Sequence, residues 1–151
     1  MTAPAPRAGP GPGSLPLARK LGIGEDATLV LIGAPTGLLT ELPPRVVVRH
    51  RARGRADVVV AFFTRRAELE RRFDGLGTLV YPAGGLWIAW PKRSSGVASD
   101  ITDHVVRAEA MSRGLVDNEV CAIDGTWTGL RCVWRRERRW VEPPGRRGAQ
   151  A

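Results

Sequence analysis

Residues 28–37, TLVLIGAPTG, join a wholly apolar run to a glycine-punctuated turn. An alternating strand would leave one face to water. Leu29, Val30, Leu31 and Ile32 leave neither, so the segment reads as a strand covered on both sides. Asp57–Phe63 (DVVVAFF) and Leu86–Trp90 (LWIAW) read the same way, and Arg45–Arg49 sets Val46, Val47 and Val48 between polar ends. The segments between them suit helices. Ser14 is placed to cap a short helix through Lys20, and a second is predicted from Thr36 to Leu42, ending before Pro43-Pro44. Thr64 is the expected cap of a helix from Arg65 to Asp74, with Ala67, Leu69 and Phe73 on its inner face. Asp100 is the expected cap of a helix from Ile101 to Arg113, with Ile101, Val105, Ala108 and Met111 inward and Gly114 closing it. Glu119–Ile123 and Leu130–Trp134 read as a hairpin around residues 124–129, DGTWTG. Continuous apolar strands separated by helices predict an α/β, Rossmann-like three-layer sandwich. Its sheet is mostly parallel and ends in an antiparallel hairpin.

The chain has 151 residues and is 43% hydrophobic, which suits one domain with a real core. Residues 1–14, MTAPAPRAGPGPGS, read as a disordered Pro/Gly-rich leader, residues 15–141 as a single domain, and residues 142–151 as a disordered tail. No apolar run approaches the roughly 18 residues of a membrane-spanning helix. No apolar signal segment follows the N-terminus, so a cytoplasmic location is expected. The net charge of +8 collects toward the C-terminus, where residues 135–151 carry six arginines against Glu137 and Glu142. Such charge steers anions without specifying one, and the Arg-rich tail leaves a nucleic-acid-associated role open.

Cys121 and Cys132 lack C-x-x-C spacing, and His50 and His104 have no neighbouring ligand, which argues against a metal site. Neither histidine is paired with a nucleophile by a recognisable motif, so a hydrolase triad has no support. The two cysteines flank the hairpin turn symmetrically and are expected to face each other as free thiols.

In an open parallel sheet, ligands bind beyond the carboxyl ends of the strands. Gly33, Pro35 and Gly37 occupy that place after the first strand. Gly-x-Pro-x-Gly serves equally as a phosphate-approaching loop or as a plain tight turn, and Pro35 removes one amide donor. The second strand ends in Arg49-His50-Arg51-Ala52-Arg53, where a ribose-binding site would need a carboxylate. That cluster suits an anion or a solvated basic loop. The fourth strand exits through Trp90-Pro91-Lys92-Arg93-Ser94-Ser95, and Lys92 is one of two lysines among 23 basic residues. Lys92 and Ser95 are candidates for holding a carboxylate or phosphate. Asp124 and Trp127, in the hairpin turn, either join this edge or fold back as turn residues.

The order of these elements resembles a trimmed methyltransferase fold. More closely, Leu15–Trp134 resembles the actinobacterial family catalogued as domain of unknown function 3052. The resemblance rests on LARKLGI (17–23), LIGAPTG (31–37), WIAWPKRSSG (87–96) and GLVDNEVCAIDGTWTGLRCV (114–133). The methyltransferase likeness implies S-adenosylmethionine (SAM) binding, against which the Arg-rich end of the second strand stands. The expectation is a non-catalytic methyltransferase-like domain with no cofactor, binding a small anionic ligand or a protein partner. An active SAM-dependent methyltransferase is the alternative. Apolar hairpin residues, including Trp134, permit a homodimer.

Overall fold

The computed structural model describes residues 15–139. The expected leader and tail, with Ser14 and Trp140, lie outside them. Six strands form one sheet: β1 (Thr28–Ile32), β2 (Val47–Arg49), β3 (Val58–Phe62), β4 (Gly85–Pro91), β5 (Leu115–Ala122) and β6 (Trp127–Trp134). The order is β2-β1-β3-β4-β6-β5. The first four strands are parallel, and β6 runs antiparallel to both β4 and β5. The chain steps from β1 outward to β2 and returns on the other side as β3, so the topological switch point lies between β1 and β3. The hairpin docks through its second strand, which makes β6 interior and β5 the edge.

Three helices accompany the sheet: α1 (Leu15–Lys20), α2 (Arg66–Leu79) and α3 (Asp103–Met111). On one face, Val30, Ile32, Val59, Ala61, Leu86 and Ile88 pack with Leu69, Phe73 and Leu76 of α2 and Val106 and Ala110 of α3. On the other, Leu29, Leu31, Val58, Val60, Trp87 and Ala89 meet Ala18 of α1, Leu21 and Leu38. This alternation explains the continuous apolar strands, since each carries two inward faces. Trp87 is buried completely, and its indole Nε1 donates to the Leu21 carbonyl at 2.9 Å.

Several local expectations are corrected. No helix forms over Thr36–Leu42. Pro35–Leu38 closes as a turn, with the Leu38 amide donating to the Pro35 carbonyl at 3.4 Å and Gly37 at φ 78°. A left-handed residue at the third turn position diverts the chain from a helical path. The second outer layer is therefore α1 plus irregular chain, with Leu38 buried and Leu39 and Leu42 partly so.

Helix α2 runs on to Leu79 because Leu76 and Gly77 are buried, and packing outweighs the poor helix propensity of Gly75 and Gly77. Ala67, expected inward, is exposed. In α3 the buried residues are Val106 and Ala110, while Met111 is 55% exposed and Ala108 also faces solvent. Arg113 ties the two helices together, its Nη1 donating to Glu109 at 2.6 Å and its Nε to Asp74 at 2.8 Å.

The helix caps are exchanged. Thr64 makes no cap, and Arg65 stands at the start of α2 without a side-chain cap bond. Asp100 supplies the acceptor instead, its Oδ1 receiving the Arg66 amide at 2.6 Å. Thr102 caps α3, its hydroxyl accepting from the Val105 amide at 3.2 Å.

Cys121 and Cys132 do not face each other. Cys121 pairs with Gly129 and Cys132 with Asp117, with an irregularity between Asp117 and Glu119. The thiols point into opposite cores. Trp134 is also interior, its Nε1 donating to the Gly77 carbonyl at 3.0 Å. The large apolar side chain that the hairpin exposes is Val120. No helix among the described residues is long and apolar enough to cross a membrane. Nor do the described residues contain a group of three or more metal-ligating side chains.

Candidate functional site

The carboxyl ends of β1, β3 and β4 meet the β5–β6 turn. Gly33 leaves β1 at φ 69°, and a Cβ there would stand 3.3 Å from the Phe62 carbonyl. Phe62, the last residue of β3, packs edge-on against Trp127 with ring centroids 5.1 Å apart. Pro91 pairs with Trp127, and the ladder continues as the Lys92 amide donates to the Thr126 carbonyl at 2.7 Å. The hairpin turn therefore flanks the edge where ligands bind in this architecture.

Asp124 organises that turn. Its Oδ1 accepts the amides of Thr126 and Trp127, both at 2.8 Å. This is the local side-chain-to-backbone bonding that suits aspartate to turns. Its Oδ2 and the Trp127 Nε1 are buried without hydrogen-bond partners.

The main cavity, of about 600 Å³, opens where β4 leaves the sheet. Trp90, Pro91, Val97, Ile101 and Val120 supply an apolar lining, and Arg93 and Asp103 bring charge. Its volume falls within the range of small-molecule sites. The Arg107 guanidinium donates to Asp103 at 2.8 Å and holds its carboxyl below the usual carboxylate range. Arg107 also donates to Asp117 at 3.1 Å. The one carboxylate of the cavity is thus already matched, whereas Arg93 has no ion pair among the described residues. No histidine or cysteine lines the cavity.

A second, shallower depression of about 410 Å³ lies at the carboxyl end of β2, lined by Arg49, His50, Arg51, Arg53 and Gly54. Three strand positions separate β2 from β4, roughly 14 Å at ordinary sheet spacing.

The residues singled out from the sequence all fall along the carboxyl edge but do not form one constellation. Trp90 lines the main cavity. Lys92 and Ser95 form the turn beyond it, where the Ser95 hydroxyl donates to the Lys92 carbonyl at 2.7 Å and accepts from the Val97 amide at 3.1 Å. Lys92 and Asp124 form no ion pair. Gly33, Pro35 and Gly37 make the turn beside Phe62, and Arg49 belongs to the second depression. Val97, Asp103 and Val120 were not legible as lining residues: an isolated valine in a Gly/Ser loop carries no sequence signal, and Val120 is displayed by the strand order.

No family model matches the sequence, and no curated protein matches it significantly. Two solved structures of magnesium protoporphyrin IX methyltransferase (ChlM) from Synechocystis PCC 6803 are similar in fold. The one with bound SAM has a TM-score of 0.51 at 11% identity, covering 79% of this chain and 74% of that one. The fold is Rossmann-like and methyltransferase-like. The structure with bound SAH has a TM-score of 0.45 at 15% identity and covers 60% of this chain. This chain spans about half of that protein, 51% of its length. Within this methyltransferase-like fold, the β1 turn is followed by further turns rather than a helix, and β2 ends in basic residues rather than a carboxylate.

Proposed function

We propose that this chain is a methyltransferase-like domain that binds rather than transfers, holding a small anionic ligand with an apolar body in the β4 cavity. The observation that carries the reading is the charge state of that cavity. Asp103 is engaged by Arg107, while Arg93 stands unpaired among the described residues beside an apolar floor of Trp90, Pro91 and Ile101. An anionic group would satisfy the guanidinium, and a flat apolar body would cover the floor.

The cofactor side of the fold supports the same reading. A nucleoside cofactor is ordinarily held by amides opening a helix after the glycine turn and by a carboxylate on its ribose. Here the turn leads to buried Leu38 with no helix, and β2 ends in Arg49-His50-Arg51. These residues do not fit SAM in that pose. No unpaired general base lines the cavity either.

Two titrations test the proposal. S-adenosylhomocysteine should give no binding heat in calorimetry at several temperatures. The anionic, apolar probe anilinonaphthalene sulfonate should bind with a rise in fluorescence. Val97→Asp with Val120→Asp, two exposed positions on the cavity wall, should abolish that rise without unfolding the protein. One-to-one binding of S-adenosylhomocysteine would overturn the proposal in favour of a cofactor-binding methyltransferase. That second reading has its own support, in the left-handed Gly33 and Gly37 at the switch point and in the SAM held by a protein of similar fold.

A further inference from the structure

We propose that the Arg49–Gly54 loop is a second site, which binds the di- or triphosphate group of a small phosphorylated ligand. It does not depend on what the β4 cavity holds. Arg45, Arg66, Arg71, Arg107, Arg113 and Arg135 each have a carboxylate within 4.0 Å. Twelve other arginines of the described residues have none, and three of these, Arg49, Arg51 and Arg53, are crowded into five residues around one depression. Like charges so close together repel, a cost that solvent screens at these exposed positions and that no carboxylate within 4.0 Å offsets. A multiply charged anion would.

The loop is also shaped in advance. The Arg53 amide donates to the Arg51 carbonyl at 2.8 Å, and Arg49 Nη1 donates to the Arg53 carbonyl at 3.4 Å. Gly54 lies at φ 76°, and a Cβ there would stand 2.8 Å from Arg49 Nη1. Absence of that carbon lets the guanidinium lie across the turn. Part of the ordering that a ligand would demand is therefore complete before it arrives.

The chemistry favours phosphoryl oxygens. A planar guanidinium fork matches two oxygens of one phosphoryl group, and three forks in one short loop suit a chain of two or three such groups. A single-stranded nucleic acid would also need aromatic platforms for its bases. The depression has no Phe, Tyr or Trp, and its one ring is the His50 imidazole.

Calorimetric titration with inorganic triphosphate, at low and physiological salt, tests the site. One-to-one binding is expected, with Arg51→Gln plus Arg53→Gln weakening it by about tenfold or more. Arg65→Gln plus Arg71→Gln removes the same charge from exposed positions on α2 and its start, and should change affinity by less than about twofold. ATP should bind as tightly as inorganic triphosphate. The proposal is overturned by absence of binding at low salt or by equal weakening in the two double variants, which would mean net charge alone. It is overturned too by a preference of about a hundredfold for ATP or for a single-stranded oligonucleotide, since recognition would then lie outside the loop.

Discussion

Asp100, in the loop ahead of α3, caps a different helix: its Oδ1 accepts the Arg66 amide at the start of α2 at 2.6 Å. The loop that walls the β4 cavity is thereby tied to the helix covering the sheet. Asp100→Ala should destabilise the protein by about 1 kcal/mol, the usual cost of a lost cap. Thr64→Ala, which removes no cap, should be near neutral. Denaturant titration of both variants separates them, and a Thr64→Ala variant as unstable as Asp100→Ala would refute the assignment.

Gly33 and Gly37 both lie in the left-handed region, but only Gly33 is crowded. Alanine at Gly37 meets nothing within 4 Å and should cost about 1 kcal/mol from backbone conformation alone. At Gly33 the new Cβ also presses on the Phe62 carbonyl at 3.3 Å. Gly33→Ala should therefore lower the melting temperature more than Gly37→Ala.

Trp127→Phe keeps the edge contact with Phe62 while deleting a buried N–H that has no partner. Removing an unsatisfied donor should leave stability unchanged or slightly raised. Asp124→Ala, by contrast, strips the acceptor shared by the Thr126 and Trp127 amides and should cost about 1–3 kcal/mol. Thermal unfolding of the two variants should shift in opposite directions or by clearly different amounts.

Burial pushes the Cys132 thiol up to about 12, and burial raises Cys121 as well. In the unfolded chain Cys132 ionises in the ordinary thiol range, about 8.5. The folded form thus keeps a proton that the unfolded form releases. Stability from this group is complete below that range and is lost as pH rises toward about 12. Cys132→Ala should flatten the alkaline decline, measured by denaturant unfolding at pH 8 and 10.5. In the native state neither thiol should react with a disulfide reagent at pH 8, and both should react after unfolding.

The sheet was largely legible because β1, β3 and β4 are buried on both faces, so each is a block of apolar residues with no competing period. Helix detail was less so. Asp100 and Thr64 are both good caps by type, and which amide each meets depends on how the loop ahead of α3 reaches α2. The segment after Gly33 has helix-compatible residues, yet Gly37 turns it and Leu38 is drawn into the core. For the site, Trp90 and the Arg49 loop were visible as residues, but their separation by the sheet was not. Asp103 and Val120 line one cavity, a juxtaposition that only the strand order creates.

That strand order has a consequence for the chain as it is made. β4 is flanked by β3 from the start, but its other neighbour is β6, the last strand among the described residues. Until Trp127–Trp134 has been synthesised, the edge of β4 beside Trp87 and Trp90 is bare, and Trp134 is absent from the core that α2 and α3 share. A nascent chain halted before residue 127 would present that open edge to any strand nearby. Completion of this fold on the ribosome is thus held back until its final hairpin strand emerges.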